Sequence, residues 1–400
     1  MSPSRTGRAG TPGQGELPCL REVPPGLRAA LEDERLARAA WSRLAEPGDA
    51  AAAALVAEVG AALALEAVVT GRGPQRWRAR AGDVDPVADL DAVRAAGGRL
   101  LVPGDEEWPL PVDDLGAGVG DARPMTAPFC LWVRGAADLG AAVARGVAVV
   151  GTRNATPYGE QTTAEFAAGL CDRGFTVVSG GAFGIDAAAH RAALAVDGTS
   201  VAVLACGVDR AYPVGIAALL ARLARTGAVV SEAPPGTSPT RWRFLERNRL
   251  IAAMGRATVV VEAAWRSGAL STADRAERLL RPVGAVPGPV TSAASSGCHR
   301  LLRDRGAVCV TTPDEVAELV APLGEVAAAV RRTPVRPFDG LEREELRVAE
   351  CLPRRGAAEV ERLARDAGVE PATAHAVLGR LELAGIAVRV GTGFRLGVVG

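Results

Sequence analysis

Residues 241 to 249 read RWRFLERNR, setting Arg241, Arg243, Arg247 and Arg249 against a single acid, Glu246, with Trp242 and Phe244 interleaved. Arginines neutralise backbone phosphates and aromatic faces stack bases, so this mixture describes a groove for a single nucleic-acid strand. A solvated loop whose aromatics belong to the core has the same composition, and for this segment alone both readings stay open. A second candidate is VVSGGAFGIDAAAH (177–190), an apolar run that breaks into glycines and resumes with helical periodicity. A strand that passes to a helix through glycines brings bare backbone and free helix N–H groups to an anion. GTRNATPYG (151–159) repeats the device and places Arg153 in the turn, where an anion site is expected. GVDRAYP (207–213), EAAWRSGALSTA (262–273) and VPGPVTSAASSG (286–297) also put Gly, Ser, Thr or Pro where an apolar run ends. Several such loops on one edge favour an extended, phosphate-bearing ligand over a single small one.

Other chemistries lack their parts. The glycines of SGGAFG are adjacent rather than spaced as GxGxxG, and the next apolar run ends without the acid that binds a ribose hydroxyl. A Walker-type phosphate loop needs a lysine, and the chain has none: all 46 basic residues are arginine. No GxSxG elbow or HExxH helix occurs. His190, His299 and His375 read as helix histidines with local hydrogen bonds, and Asp186 as a dipole partner in a first helical turn rather than a base. No catalytic set, cofactor or metal is expected. The rival is a Rossmann-type nucleotide-derivative hydrolase or sensor on the same edge, which would pair the glycine loop with an acid and an arginine.

Positioning these loops requires a sheet. Seven short apolar runs, at 147–151, 175–180, 200–207, 228–232, 257–263, 283–288 and 307–311, alternate with helical patterns at 160–173, 185–196, 214–225 and 268–280. Continuous apolar strands alternating with amphipathic helices predict an α/β domain over 147–321, a doubly wound, Rossmann-like parallel sheet covered on both faces. Ligands of such sheets bind beyond the carboxyl ends of the strands, where all five loops fall. Upstream, residues 1–26 read as a disordered leader, 27–70 as a helical N-terminal domain and 71–146 as a connecting segment. Asp49 is a helix N-cap after the turn EPGD, and Leu55, Val59, Ala62 and Leu63 recur at helical spacing. Downstream, 322–340 reads as a linker and 341–400 as a winged helix, three helices and two extended runs around Gly-Thr-Gly.

The 400 residues carry zero formal net charge, so any basic surface must come from where the arginines fall rather than from their excess. No stretch of about 18 apolar residues lacks charge, and no membrane association is expected. The seven cysteines are scattered with no CxxC pair, which points away from zinc and disulfides and toward a reducing cytoplasm.

In order along the chain, VAVVGTRNATPYG, VVSGGAFGIDAAAH, VAVLACGVDRAYP, SEAPPGT, RNRLIAAM, VVVEAAWRSGALSTA and VPGPVTSAASSGCHRLLRDRGA resemble the DNA processing protein A family (DprA, also called Smf), of actinobacterial type. The resemblance implies a non-enzymatic, homodimeric protein that binds single-stranded DNA, protects incoming DNA in natural transformation and helps load the RecA recombinase. It also implies roles by motif. Arg153 matches the arginine of the family's G-S/T-R turn, a phosphate contact. Ser179, Gly180, Gly181 and Gly184 match its glycine loop, and Arg247, Asn248 and Arg249 its R-N-R. Ser267, Gly268 and Thr272 match the start of its S-G-x-L-x-T helix. Arg243 joins these from the basic cluster itself.

Overall fold

The computed structural model describes residues 23–117, 125–320, 338 and 340–397, in two compact units divided at Ala328/Ala329. Most of the leader and linker expected at 1–26 and 322–340 therefore lies outside the described residues. Where the leader should end, Val23 is buried and a short helix α1 (Pro25–Arg28) already runs.

Five more helices follow: α2 (Glu34–Leu44), α3 (Ala50–Val59), α4 (Ala61–Val69), α5 (Gln75–Ala81) and α6 (Pro86–Ala95). Asp49 caps α3, its carboxylate accepting from the Ala51 and Ala52 N–H groups, both at 3.1 Å. The face expected on Leu55, Val59, Ala62 and Leu63 is not the buried one. Gly60, at φ +84, breaks the segment into two helices bent by 116°, and the Glu34 carboxylate accepts from the Ala61 and Ala62 N–H groups that open the second. Val56, Ala61, Ala64 and Leu65 are buried instead, around Trp41 and Trp77. Among the described residues no single helix is long and apolar enough to cross a membrane.

The segment 71–146 is not a connector. It supplies β1 (Gly98–Leu101), β2 (Leu131–Arg134) and α7 (Leu139–Ala144), and both strands join the main sheet antiparallel to their neighbours. Leu101, Trp108, Leu131, Val133 and Leu139 share one core with the strands that follow. The two short runs gave no period to read, because they are extended by pairing with each other and with the sheet.

All seven expected parallel strands form. They are β3 (Gly146–Val150), β4 (Thr176–Gly180), β5 (Ser200–Val203), β6 (Ala228–Ser231), β7 (Thr258–Val260), β8 (Val283–Ala285) and β9 (Val308–Cys309). Between them run α8 (Pro157–Asp172), α9 (Ile185–Ala195), α10 (Ala217–Thr226), α11 (Arg241–Met254), α12 (Ala269–Arg278) and α13 (Ser296–Asp304), with α14 (Pro313–Val320) after the last strand. The nine strands order as β1-β2-β6-β5-β4-β3-β7-β8-β9. From β3 the chain builds outward to β6, then returns to the other side of β3 as β7. The gap between the carboxyl ends of β3 and β7 is thus the topological switch point, where the loops diverge and leave a crevice.

Alternate strand residues feed opposite cores. Val147, Val149 and Val177 pack on Phe166, Leu170 and Ile185, whereas Ala148, Val150 and Val178 pack on Leu250, Ile251 and Met254. Residues 241–249 are therefore no loop: they are the first two turns of α11, capped by the Thr240 hydroxyl and anchored by a fully buried second half.

The second unit, described by itself, contains α15 (Arg343–Glu350), β10 (Ala358–Glu359), α16 (Val360–Ala367), α17 (Pro371–Leu383), β11 (Ala387–Val390) and β12 (Gly393–Leu396). Its antiparallel sheet orders as β10-β12-β11. Val377, Leu378 and Leu381 of α17 pack with Leu363 and Phe394 in a core of its own.

Candidate nucleic-acid interface

Three loops at the switch point are bolted into one block. Leaving β3, the Thr152 N–H donates to the Glu262 carbonyl at 2.7 Å, and the Thr152 carbonyl accepts from the Ile185 N–H at 3.1 Å. The Glu262 carboxylate, buried at the end of β7, accepts from the Thr156 N–H (2.9 Å) and hydroxyl (2.6 Å), while Thr156 caps α8. Gly184 turns the chain into α9 at φ +73, where a Cβ would lie 2.3 Å from the Thr152 carbonyl oxygen. Only glycine allows that approach. From this block Arg153 projects into solvent, its guanidinium 4.5 Å from the ring centroid of Phe244 on α11.

Between the block, α11 and the start of α12 lies a pocket of about 590 Å3. Arg153, Arg241 and Arg266 on its rim are exposed and form no ion pair among the described residues. Arg247 forms its floor, buried, with Nη1 donating to the Val203 carbonyl at 2.5 Å. Among the described residues the one carboxylate on the pocket wall is Asp186 in the first turn of α9. Burial pushes its pKa up to about 6, against the opposing pull of the Arg247 charge and, behind it, of Arg153. Burial likewise pushes Arg247 down to about 10, with Asp186 opposing. Three cations without an ion pair among the described residues thus rim the crevice in a chain of zero net charge, against an acid whose pKa is raised only to about 6.

The candidate residues divide into three groups. Arg153, Arg247, Asn248, Ser267, Gly268 and Thr272 line the pocket together. Asn248 ties α11 to the start of α12, its amide donating to the Gly268 carbonyl at 3.4 Å. Ser179, Gly180, Gly181 and Gly184 support it from beneath. The Ser179 hydroxyl is fully buried and donates to the Val149 carbonyl at 2.6 Å. A Cβ on Gly180 would sit within 2.7 Å of both the Asp186 carboxylate and the Arg247 guanidinium, and one on Gly181 within 2.4 Å of Leu204.

Arg243 and Arg249 are not brought to the pocket. Arg243 donates to both Glu46 oxygens, at 3.0 and 3.1 Å, and to the Ser238 carbonyl. Burial alone would raise the Glu46 carboxyl, but Arg243 and Arg80 together hold it below the ordinary range. Arg249 is 1% exposed and forms a two-pronged pair with Glu232 at 2.6 and 2.7 Å. Both arginines join α11 to the rest of the fold. His190 is buried between Gly180 and Ser200, Nε2 donating to the Gly180 carbonyl, and burial pushes it down to about 4. Glu262 escaped the sequence reading, though an acid ending an otherwise apolar strand was its signal. The meeting of Asp186 with Arg247 had no sequence signal.

A doubly wound sheet with an arginine-rimmed crevice at its switch point defines a Rossmann-like protein. The family model for DNA recombination-mediator protein A matches residues 99–321. The chain is 49% identical over 357 residues to the DprA-type DNA processing protein of Mycobacterium tuberculosis, covering 87% of this chain and 91% of that one. It is 43% identical over 192 residues to the protein Smf of Escherichia coli, covering 48% and 50%. The crystal structure of DNA processing protein A from Streptococcus pneumoniae superposes with a TM-score of 0.58 at 29% identity, over 71% of this chain and 96% of that one. The chain belongs to the DNA recombination-mediator protein A family, and is a DNA-processing recombination mediator.

Proposed function

We propose that the switch-point crevice captures the backbone of single-stranded DNA without catalysis, and that the captured strand is protected and passed to the RecA recombinase. The observation that carries this reading is Arg153, exposed, free of any carboxylate partner among the described residues and stacked on Phe244 beside Arg241 and Arg266. A guanidinium on an aromatic ring offers a phosphate contact and a base-stacking face at one point. Family membership supports a homodimer working in the cytoplasm. The order of elements in the second unit supports a winged helix, in which Arg380 pairs with Glu345 on α15, and its nine acids and nine arginines over 341–400 favour protein contact over duplex reading.

Fluorescent oligonucleotides titrated across a salt series test the capture. If about three to four phosphates are neutralised, log K against log salt has a slope of roughly −2 to −3 for single strands. Arg153→Ala should weaken binding and flatten that slope by about 0.7. Equal affinity for duplex and single strands, or an unchanged Arg153→Ala, refutes the reading.

One observation favours a second reading. Asp186 beside Arg247 is the acid–arginine pair that a nucleotide-derivative hydrolase requires, on the wall of a nucleotide-sized pocket. Release of free base from a nucleoside monophosphate, abolished by Asp186→Asn, would establish it.

A further inference from the structure

Beyond the pocket, on the β8 side of the switch point, Trp265 stands half exposed at the tip of the loop after β7. One flank of its ring is taken by Arg300 of α13, whose guanidinium lies 5.1 Å from the centroid. The pair is rigidly mounted. The Ser267 N–H closes the turn onto the Ala264 carbonyl at 2.9 Å, and the Gly297 N–H donates to the Ala263 carbonyl at 2.7 Å. A Cβ on Gly297 would meet the Ala263 and Ala264 carbonyl oxygens at 2.7 and 2.8 Å, so α13 packs against the backbone that carries Trp265. Neither Arg300 nor Arg266, the residue after Trp265, forms an ion pair among the described residues, and Arg266 lines the pocket. An indole with one open face, two unpaired cations beside it and continuity with the anion pocket has the makings of a base-stacking platform.

We infer that Trp265 and Arg300 form a second nucleotide subsite, which stacks one base of the strand emerging from the pocket and neutralises its phosphate. The inference rests on single-strand capture at the pocket and adds the route: the strand crosses the sheet edge from β3 past β7 toward β8. Arg153 and Phe244 hold one nucleotide, and Trp265 with Arg300 holds a neighbour.

The full chain is titrated with labelled oligothymidylates from about 4 to about 16 nucleotides, lengths that span one to several subsites. Wild-type affinity should rise with length until the platform is reached. Trp265→Ala should bind the shortest strand as wild type does and the longer ones about tenfold more weakly, the loss of one base stack. Trp265→Phe should keep most of the affinity, and Arg300→Gln should flatten the salt slope by about 0.7. Urea midpoints equal to wild type confirm that substitutions at exposed Trp265 and half-buried Arg300 leave the fold intact. Wild-type affinity in Trp265→Ala at every length, or a loss already complete on the shortest strand, overturns the subsite while Arg153→Ala still reports the pocket. Absence of any oligonucleotide binding by the wild type overturns the capture itself.

Discussion

Arg249→Met should unfold the protein rather than disarm it. The guanidinium is 1% exposed, pairs with both Glu232 oxygens and donates to the Thr126 carbonyl at 2.9 Å and the Glu246 carbonyl at 3.2 Å. Methionine fills much of the same volume, so the loss is electrostatic: a largely buried carboxylate and two half-buried carbonyls lose their donor. Breaking such a pair on one side costs about 3–5 kcal/mol. Against a total stability of about 5–15 kcal/mol that is a large share. Removing both partners is different, because an apolar pair of similar volume often matches a buried ion pair. Arg249→Met combined with Glu232→Leu should therefore recover more than half of the loss. Urea unfolding followed by tryptophan fluorescence measures the stabilities, and oligonucleotide anisotropy at low temperature measures affinity per folded molecule. The affinity of Arg249→Met should stay within about twofold of wild type, since no part of the side chain reaches the pocket. A variant that melts with wild type yet binds single strands about tenfold more weakly would refute the reasoning.

Gly184→Ala should destabilise the protein by about 1–3 kcal/mol, because the site combines φ +73 with a 2.3 Å approach to the Thr152 carbonyl oxygen. Its affinity for single strands should fall too, as Arg153 moves with that loop. Asp186 gives a pH dependence. Its folded pKa, about 6, lies above the ordinary 3.8, so the fold favours the protonated form. The contribution of this group is then greatest below about pH 4, and about 3 kcal/mol of it is lost as pH rises to about 6, with no further change from this group above it. The urea midpoint of wild type relative to Asp186→Asn should fall across that window, a difference that cancels the opposite trend of carboxylates held low, such as Glu46. Single-strand affinity should also tighten on acidification through pH 6, as the Asp186 carboxylate on the pocket wall becomes neutral, and a flat profile would discount the group.

Much of the fold was legible because it is written in local patterns. An apolar run of four or five residues, bounded by glycine and alternating with a helical period, identifies a buried parallel strand wherever its partners lie. That is how β3 to β9 and the loop edge could be named in advance. β1 and β2 were missed, since they owe their extended form to pairing across distant segments. The break at Gly60 was missed because only the geometry of Glu34, 26 residues upstream, makes a new helix start there worthwhile.

The site divides along the same line. Sequence alone determined that glycine-bearing loops would gather at one edge of a parallel sheet, with Arg153 in the turn after β3 and Ser267, Gly268 and Thr272 after β7. Tertiary structure decided which arginines are free. In RWRFLERNR the four look alike, yet Arg243 meets Glu46, which lies 197 residues away, and Arg249 meets Glu232, 17 away, while Arg241 stays open and Arg247 becomes the buried floor beside Asp186. The reason is physical: a charge is neutralised or left active by what lies within a few ångströms and by how much water remains around it. Spacing along the chain carries neither quantity.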